Sequence, residues 1–329
     1  YIMKFYWEFM MKTIVRKILE NNKMTQGVYS KLRYYYAKFN AGKDDEKYAV
    51  EYYYNKFGRK LNLHDPKTFD EKIWWLKFNY HNQLLTKCAD KYLVREYIKE
   101  QGLEHILNDL YAVYDDVSEI KCIDHLPEKF YLKCNHVSGG NVACFDKKVF
   151  DLEKAKKKLS WYMNINQYYI TREWQYKNIK PKIICEKFLE NNDSKPLVDY
   201  KFYCFNGNPQ MVLIKHGTAK IDGSHEDAHL QYENYYDMRL KPLNITDNSQ
   251  ILSENEVIFP SNYQEMKKYA TVLAEPFPFV RVDFYEINKK IIFGELTFTC
   301  AGGCHNYNPL EFNEKLGSYL DLSKISLYE

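Results

Sequence analysis

Residues 279–303, FVRVDFYEINKKIIFGELTFTCAGG, constrain the fold most strongly, because Asp283 and Glu295 each lie among apolar residues there. The pattern predicts two β-strands joined by a short turn at residues 287–290, with one of the two acids on each strand. A buried carboxylate is costly unless a cation or a hydrogen-bond donor compensates its charge. Two such carboxylates side by side therefore predict a metal ion, and oxygen ligands on rigid strands favour Mg²⁺.

Arg281 lies two residues before Asp283, so the alternation of side chains along a strand places both on one face. A guanidinium group beside a metal ion can stabilise negative charge that develops on a transferred group. The alternative interpretation is an edge hairpin with solvated charges. The apolar residues that flank both acids argue against such an open face.

Composition and charge narrow the class of protein. The chain has 329 residues, enough for two domains or for one large domain with extensions. Its net charge of +3 gives no indication of a nucleic-acid partner. The eight cysteines favour reduced, buried thiols in a cytosolic protein over disulfides, because the chain is long and shows no secretory signal. No apolar run reaches about 18 residues, so no membrane-spanning segment is expected.

The first part of the chain is predicted to be helical. Residues 1–45 are predicted to form a basic amphipathic helical segment, because apolar residues recur at helical spacing among lysines. Such a helix within residues 1–40 fits an anionic membrane surface. The sequence slightly favours the alternative, a helix packed on its own domain or on a second subunit. Residues 46–126 are predicted to be mostly helical, and Thr68 and Glu71 have the spacing of a capping box.

Strand patterns dominate from residue 127 onward. Strands are predicted near residues 130–137 and 183–189, and residues 199–215 predict a hairpin that turns at Asn206-Gly207. Residues 216–262 are polar and are predicted to be irregular. They are a candidate surface for an acceptor substrate, since tyrosine and asparagine suit sugar hydroxyls, although an ordinary surface loop explains them equally well. The candidate residues are His216, His225, His229, Tyr235, Tyr236 and Arg239.

Several segments fit a phosphate-bearing ligand. The turn at residues 138–141, SGGN, follows a predicted strand that carries Lys133. Glycines let backbone N–H groups approach phosphate oxygens, and a strand lysine supplies positive charge. The turn matches neither G-x-x-x-x-G-K-[ST] nor G-x-G-x-x-G, and alone it is weak evidence, because Gly-Gly between strands is usually only a hairpin turn. Glu186 interrupts an apolar strand that suits an adenine pocket and suits equally well an ordinary strand with one outward glutamate. Asp199 and Lys201 share one face of a later strand. Lys201 could contact a terminal phosphate there, or the two residues could form a solvated ion pair.

These segments occur in an order that resembles the ATP-grasp superfamily and, within it, the TupA-like ATP-grasp proteins of bacterial polysaccharide gene clusters. The resemblance covers residues 61–320, and its most specific segments are NLHDPKTFDEKIWW, DKYLVREYI, FYLKCNHVSGGN, REWQYKNIKPKIICEKFL, DYKFYCFNG and FPFVRVDFY with IIFGELTFT. It implies an α/β (α+β) ATP-grasp fold, in which two α+β subdomains clasp a nucleotide. Residues 127–325 would be the nucleotide-binding and catalytic region, preceded by a helical N-terminal extension.

The resemblance also implies the cofactors, ATP and Mg²⁺, and a role for each matching residue. Nucleotide contacts are implied for Lys91, Lys133, Ser138, Gly139, Gly140, Asn141, Glu186, Phe188 and Lys201. Metal ligands are implied for Asp283, Glu295 and Thr297, and catalytic roles for Arg281 and Lys201. Thr297 departs from the E-x-N pattern usual at the second metal strand, although a hydroxyl can still coordinate a metal ion or bind its water.

The function that the resemblance implies is an ATP-dependent ligase that activates a carboxylate as an acyl phosphate for amide formation with an amine. Family context suggests a sugar uronic acid and an amino acid or amino sugar in surface polysaccharide biosynthesis. The expected location is the cytoplasm, with the inner membrane face as a second option. The alternatives are an ATP-grasp kinase acting on a glycan-related acceptor and a non-catalytic glycan-binding protein.

A zinc site is the remaining alternative. Cys300, Cys304 and His305 form a C-x-x-x-C-H run. A structural zinc ion needs a fourth ligand and usually a tighter pairing of ligands, and no second pair with suitable spacing occurs. The run is therefore weak evidence for zinc.

Overall fold

The structure is a computed structural model, and it describes residues 23–42, 44–191, 197–217, 231–247 and 249–325. In these ranges the α-helices are α1 (Lys23–Asn40), α2 (Asp45–Phe57), α3 (Phe69–Asn79), α4 (Gln83–Ala89), α5 (Val94–Glu100), α6 (Leu152–Met163), α7 (Gln167–Thr171), α8 (Tyr263–Ala274) and α9 (Glu311–Tyr319). The strands are β1 (Leu110–Tyr114), β2 (Phe130–Cys134), β3 (Asn141–Cys144), β4 (Ile183–Lys187), β5 (Asp199–Phe205), β6 (Asn208–His216), β7 (Tyr232–Asp237), β8 (Thr246–Asp247), β9 (Phe279–Ile287), β10 (Lys290–Thr297) and β11 (Tyr307–Asn308).

A local capping signal sets the start of helix α3 where the sequence predicts it. Thr68 accepts a hydrogen bond from the backbone of Glu71, and the Glu71 carboxylate accepts one from the backbone N–H of Thr68, so the predicted capping box at the start of α3 is confirmed. The apolar residues of the N-terminal amphipathic pattern, up to residue 22, lie outside the described residues. Across the described ranges, no helix is both long enough and apolar enough to cross a membrane.

A four-stranded antiparallel sheet has the order β1-β4-β2-β3. Its strand β1 lies within residues 46–126, which the sequence predicts to be mostly helical and which also contain most of α2 and helices α3 to α5. β1 is short and only half-buried, and it becomes a strand by pairing with the edge of β4. Strand formation of this kind depends on the neighbouring strand more than on the local sequence.

A five-stranded antiparallel sheet has the order β10-β9-β5-β6-β7. Both predicted hairpin turns are confirmed: the pairs Asn206-Gly207 and Asn288-Lys289 have positive φ values, as two-residue hairpin turns require. Strand β7 lies inside residues 216–262, so the prediction of an irregular segment is wrong for its residues. β7 forms because it completes the sheet beside β6, and its central residues are buried.

One face of the five-stranded sheet is apolar and covered by helix α8. Val280, Val282 and Phe284 of β9 alternate with charged and polar residues, and they are almost fully buried. The covering side of α8 includes Met266 and Ala270, which are also fully buried. The alternation of β9 therefore leaves its charged residues on the opposite face.

All eight cysteines are free thiols, and seven of them are buried while Cys122 is exposed. Burial raises the pKa of Cys185 to about 12 and that of Cys134 to about 11. These thiols are therefore protonated at neutral pH and pack as small apolar side chains, in agreement with the prediction of reduced, buried cysteines.

Candidate active site

Strand register brings the predicted metal and phosphate residues together on the charged face of the five-stranded sheet. Asp283 of β9 is paired with Glu295 of β10 on one side and with Lys201 of β5 on the other. Arg281 is paired with Thr297 in the next row of the same face. Paired residues on neighbouring strands have their side chains side by side, so five predicted site residues lie in two adjacent rows.

The guanidinium group of Arg281 joins the two predicted metal carboxylates. Its Nε and Nη2 donate to the two oxygens of Asp283 at 2.7 and 2.6 Å, which is a bidentate fork. The same Nη2 lies 3.0 Å from Oε1 of Glu295 and 3.1 Å from Oγ1 of Thr297. The Thr297 hydroxyl also donates to Glu295 at 2.8 Å. Three oxygen-bearing side chains therefore converge on one cationic nitrogen.

A β-bulge at Gly294 places Glu295 on the charged face. Uninterrupted pairing from the turn onward would put Glu295 on the same face as Phe293, against the apolar core. Instead the register shifts between Phe293 and Glu295, so Phe293 pairs with Phe284 and Glu295 pairs with Asp283. A Cβ atom at Gly294 would lie 3.0 Å from the carbonyl oxygen of Asp283, so the close approach of the two strands favours glycine.

The two carboxylates differ in exposure, which corrects the expectation that both are buried. The Asp283 side chain is 2% exposed, whereas the Glu295 side chain is 51% exposed. Partial burial of the Glu295 carboxylate raises its pKa, but the positive charges of Arg281, Lys201 and Lys91 have a larger effect and lower the pKa below its usual value. Glu295 is therefore ionised at neutral pH and open to a ligand, while Asp283 lies beneath it.

Lys201 is held between two buried acids. Its Nζ lies 2.6 Å from Asp283 Oδ2 and 3.1 Å from Asp199 Oδ1. Burial would lower the pKa of Lys201, but the charges of Asp199 and Asp283 raise it above its usual value. The pairing of Asp199 and Lys201 is therefore a buried ion pair and not the solvated one that the sequence left open.

The four-stranded sheet contributes a second group of predicted residues. Lys133 Nζ lies 2.9 Å from Oε2 of Glu186, and Arg95 Nη1 lies 3.4 Å from the other oxygen of Glu186. Burial would lower the pKa of Lys133, but the charge of Glu186 raises it. The Nζ atom of Lys91 donates to the Val137 carbonyl at 2.8 Å. Burial lowers the pKa of Lys91, although the negative charge of Glu295 acts in the opposite direction. The charges of Lys91 and Lys133 thus interact with the Glu295 carboxylate on β10.

The glycine turn is fixed by contacts within the protein. Gly139 has a φ of +90°, and a Cβ at Gly140 would lie 2.9 Å from Cys134 Cβ. Ser138 at the tip is exposed, and Asn141 begins β3, where it pairs with Lys133. Both glycines are therefore required by conformation and packing, whatever the turn binds.

An asparagine that the sequence did not single out anchors this turn. The buried Asn135 donates to Asp90 at 2.9 Å and to the Lys180 carbonyl at 3.1 Å, and its side-chain oxygen accepts from the backbone of Lys182 at 2.7 Å. Asp90 in turn accepts from the backbone of Tyr92 at 2.7 Å. Asn135 therefore ties the glycine turn to the loop that carries Lys91. Arg95 was also missed, although it lies in the segment DKYLVREYI that the resemblance uses.

Phe188, predicted to lie beside adenine, belongs to an aromatic group at the end of β4. Its ring stacks on Tyr131 with centroids 6.3 Å apart, and it meets the edge of Phe145 at 5.0 Å. The ring is half-buried. An apolar group of this kind, next to the Glu186 carboxylate, suits a planar ligand, and the nucleotide role of both residues stays a prediction.

The predicted acceptor surface is not assembled as expected. Tyr235 and Tyr236 are 4% and 1% exposed because they lie within β7. The backbone N–H of Ile258 donates to the half-buried His216 at 3.3 Å, and Arg239 is exposed. His225 and His229 lie outside the described residues. The charged face of the sheet instead continues through an ion pair, in which Lys215 Nζ lies 2.7 Å from Glu233 Oε1.

The zinc alternative receives no support. The imidazole Nδ1 of His305 lies 2.7 Å from Oδ1 of the fully buried Asp70, and the Cys300 thiol lies 3.7 Å from Arg281 Nη1. Among the residues that the structure describes, no group of three or more His, Cys, Asp and Glu side chains could hold a metal ion. The site at Asp283 and Glu295 offers two carboxylates and one hydroxyl, a set that suits an ion whose remaining ligands are water and phosphate oxygens.

A comparison with protein families agrees with this geometry. A model of the family described as TupA-like ATPgrasp matches residues 71–321. The chain belongs to the TupA-like ATP-grasp family. The resemblance inferred from the sequence is thereby confirmed, and so is the mixed α/β ATP-grasp fold. A search of curated proteins finds no match.

Solved structures similar to this TupA-like chain include three ligases. An L-amino acid ligase from Bacillus licheniformis is 15% identical over 66% of this chain and 44% of that chain, with a TM-score of 0.40. A D-alanine–D-alanine ligase from Bacillus anthracis, complexed with ATP, is 14% identical over 64% of this chain and 56% of that chain, with a TM-score of 0.38. A D-Ala:D-Ser ligase, VanG, from Enterococcus faecalis is 14% identical over 64% of this chain and 52% of that chain, with a TM-score of 0.40. The chain thus spans about half the length of these structures.

Proposed function

We propose that this protein is an ATP-dependent ligase that activates a carboxylate and joins it to an amine, with ATP and Mg²⁺ as cofactors. The observation that carries the proposal is the convergence of Asp283, Glu295 and Thr297 on one nitrogen of Arg281, in a row with Lys201. Membership of the TupA-like ATP-grasp family supports the nucleotide.

The donor atoms fit a hard divalent cation. Asp283, Glu295 and Thr297 offer only oxygen atoms, and a positively charged nitrogen already lies between them. Mg²⁺ commonly binds one or two carboxylates and completes its shell with phosphate oxygens and water. When bound, the magnesium nucleotide would supply the phosphoryl group that converts a carboxylate into an acyl phosphate.

The protein's own side chains position groups and neutralise charge, which is most of what phosphoryl transfer asks of an enzyme. Lys133 and Lys91 supply positive charge from the four-stranded sheet, and Lys201 supplies it from β5. Arg281 is held by the fork to Asp283, so its remaining N–H groups are oriented before a ligand arrives. A fixed guanidinium of this kind stabilises the oxyanion that forms when an amine attacks an acyl group.

For the substrates, we propose a sugar uronic acid as the carboxylate and an amino acid or amino sugar as the amine. The support is the family's association with polysaccharide gene clusters, which is an argument by analogy. The charged face also continues past Lys201 to Lys215 and Glu233, where a polar substrate has ionic partners. We place this reaction in surface polysaccharide biosynthesis and in the cytoplasm, where ATP is available.

A screen for ADP release over uronic acids crossed with amines, in Mg²⁺ and with hydroxylamine as a trap, tests the proposal. A ligase gives a hydroxamate with its carboxylate substrate alone, and Glu295→Gln abolishes it. The matched control is Glu104→Gln, which removes an exposed carboxylate paired with Lys99 and leaves activity unchanged. A stable phosphorylated product without hydroxamate would identify a kinase instead. Absence of ADP release with all substrates would favour a non-catalytic glycan-binding protein.

A further inference from the structure

Helix α1 exposes an apolar stripe. Leu32, Tyr35, Tyr36 and Phe39 are 65, 61, 74 and 72% exposed. Their spacing of three, four and seven residues places them along one side of the helix. Single exposed apolar residues are common on protein surfaces, but a contiguous row of large ones marks an interaction surface.

The opposite side of α1 is docked on the protein, which fixes the direction of the stripe. Tyr34 is 6% exposed, and its hydroxyl accepts a hydrogen bond from the backbone of Asn166 at 3.0 Å. The Nζ atom of Lys31 lies 5.3 Å from the centre of the Trp161 ring in α6. Because Tyr34 and the stripe lie on opposite sides of the helix, the stripe faces away from the domain.

The helix that carries the stripe and the helix on which it is docked are both rich in basic residues. The sequence of α1 contains four basic residues and no acidic one, and α6 beside it contains the run KAKKK. Residues 1–40 include eight Lys and Arg and two Glu, a net charge of +6. Since the whole chain carries +3, the remaining residues together carry −3. Positive charge is therefore concentrated in the segment that also exposes the apolar stripe.

We propose that this stripe binds the surface of an anionic lipid bilayer, with α1 lying in the plane of the interface. Tyrosine and phenylalanine rings suit the boundary between headgroups and acyl chains, and neighbouring lysines are attracted to anionic headgroups. The charge decides between occupants. A second copy of this chain, or residues 1–22 folded back onto the stripe, would bring one basic surface against another, whereas an anionic bilayer complements it.

Sedimentation of the 329-residue chain with lipid vesicles tests the proposal. The protein is expected to bind vesicles that contain phosphatidylglycerol, to bind vesicles of phosphatidylcholine alone weakly, and to be released by high salt. The variant Leu32→Ser/Tyr36→Ser/Phe39→Ser is expected to lower the partition coefficient by at least about tenfold, because binding scales with the apolar area inserted. The matched control, Val149→Ser/Ile251→Ser, removes side chains that are 81% and 50% exposed elsewhere and leaves binding unchanged.

Three outcomes would overturn the proposal: equal binding to both kinds of vesicle, unchanged binding of the triple variant, or a wild-type dimer in solution that the triple variant dissociates. Circular dichroism checks that the triple variant keeps its helices. As an independent measurement, bromine-labelled lipids in anionic vesicles are expected to quench the fluorescence that Tyr36→Trp adds to the protein. No extra quenching would count against insertion of the stripe.

Discussion

Replacing Lys201 by methionine tests the buried charge network on which the site depends. Lys201 Nζ lies 3.1 Å from Asp199 and 2.6 Å from Asp283, and the three side chains are 11, 6 and 2% exposed. Methionine has a similar length and fills the same space, so the substitution removes a charge and little packing. Two acids in a poorly hydrated environment then lose a shared cation.

The expected cost is about 3 kcal/mol of unfolding free energy at pH 7. Removal of one partner from a buried ion pair costs roughly 3–5 kcal/mol, because the other charge remains buried. The lower end applies here, since Asp283 and Asp199 both lose the ammonium group but Asp283 keeps the bidentate fork from Arg281. Urea unfolding at 25 °C, followed by circular dichroism, measures the difference from wild type.

The pH dependence and two further variants sharpen this test. Because the charges of Asp199 and Asp283 raise the pKa of Lys201, the stability that Lys201 contributes is expected to be constant below pH 10.5 and to be lost as the pH rises further, so the cost of Lys201→Met is the same at pH 5 and pH 8. Adding Asp199→Asn removes one of the two buried negative charges and is expected to recover part of the loss. The control is Lys187→Met, whose exposed pair with Asp109 is worth less than about 1 kcal/mol. A loss for Lys201→Met as small as the loss for this control would refute the reasoning.

Three other substitutions test separate parts of the structure. Gly294→Ala places a Cβ atom 3.0 Å from the carbonyl oxygen of Asp283 and so disturbs the bulge that positions Glu295. Calorimetry is expected to show at least about tenfold weaker nucleotide binding. An unchanged affinity would mean that the bulge is not needed. Asp70→Asn removes a fully buried carboxylate that binds His305, and urea unfolding at pH 7 is expected to show a loss of about 3 kcal/mol in unfolding free energy. Burial raises the pKa of Asp70, but His305 lowers it below its usual value. The stability that ionised Asp70 contributes is therefore present above the pKa of the unfolded chain and is lost in acid. An equal cost of Asp70→Asn at low pH would contradict the assignment. Burial lowers the pKa of Lys77 from 10.5 to about 8. Between pH 8 and 10.5 the unfolding free energy of the wild type is therefore expected to rise by about 3 kcal/mol relative to that of Lys77→Met. Parallel curves of stability against pH would contradict this.

The sequence predicts the local parts of the site because they depend on local patterns. Both hairpin turns follow from short-range preferences, and so do the capping box and the placement of Asp283 with Arg281 on one strand face. The sequence does not predict on which face of the sheet Glu295 lies, because simple alternation would place it on the same face as Phe293. The bulge that reverses it depends on how β10 pairs with β9, and Gly294 is its only local signal.

Contacts between distant segments could not be predicted from spacing. Asp70 and His305 are 235 residues apart and bind each other directly, which removes His305 from the zinc run. Arg95 and Glu186 are 91 residues apart and meet only because two sequence segments fold together. Strand β7 was likewise missed, because its tyrosines are buried by the sheet and not by an apolar pattern of their own.

Calorimetric titration of ATP, with and without Mg²⁺, into the wild type and Glu295→Gln tests the central claim most directly. Glu295 is the more exposed of the two carboxylates, so its substitution is expected to leave the fold intact. We predict that Mg²⁺ strengthens ATP binding to the wild type at least about tenfold and that Glu295→Gln loses most of this gain. Wild-type affinity that does not change with Mg²⁺, or a full magnesium effect in the variant, would contradict a metal site at Asp283 and Glu295.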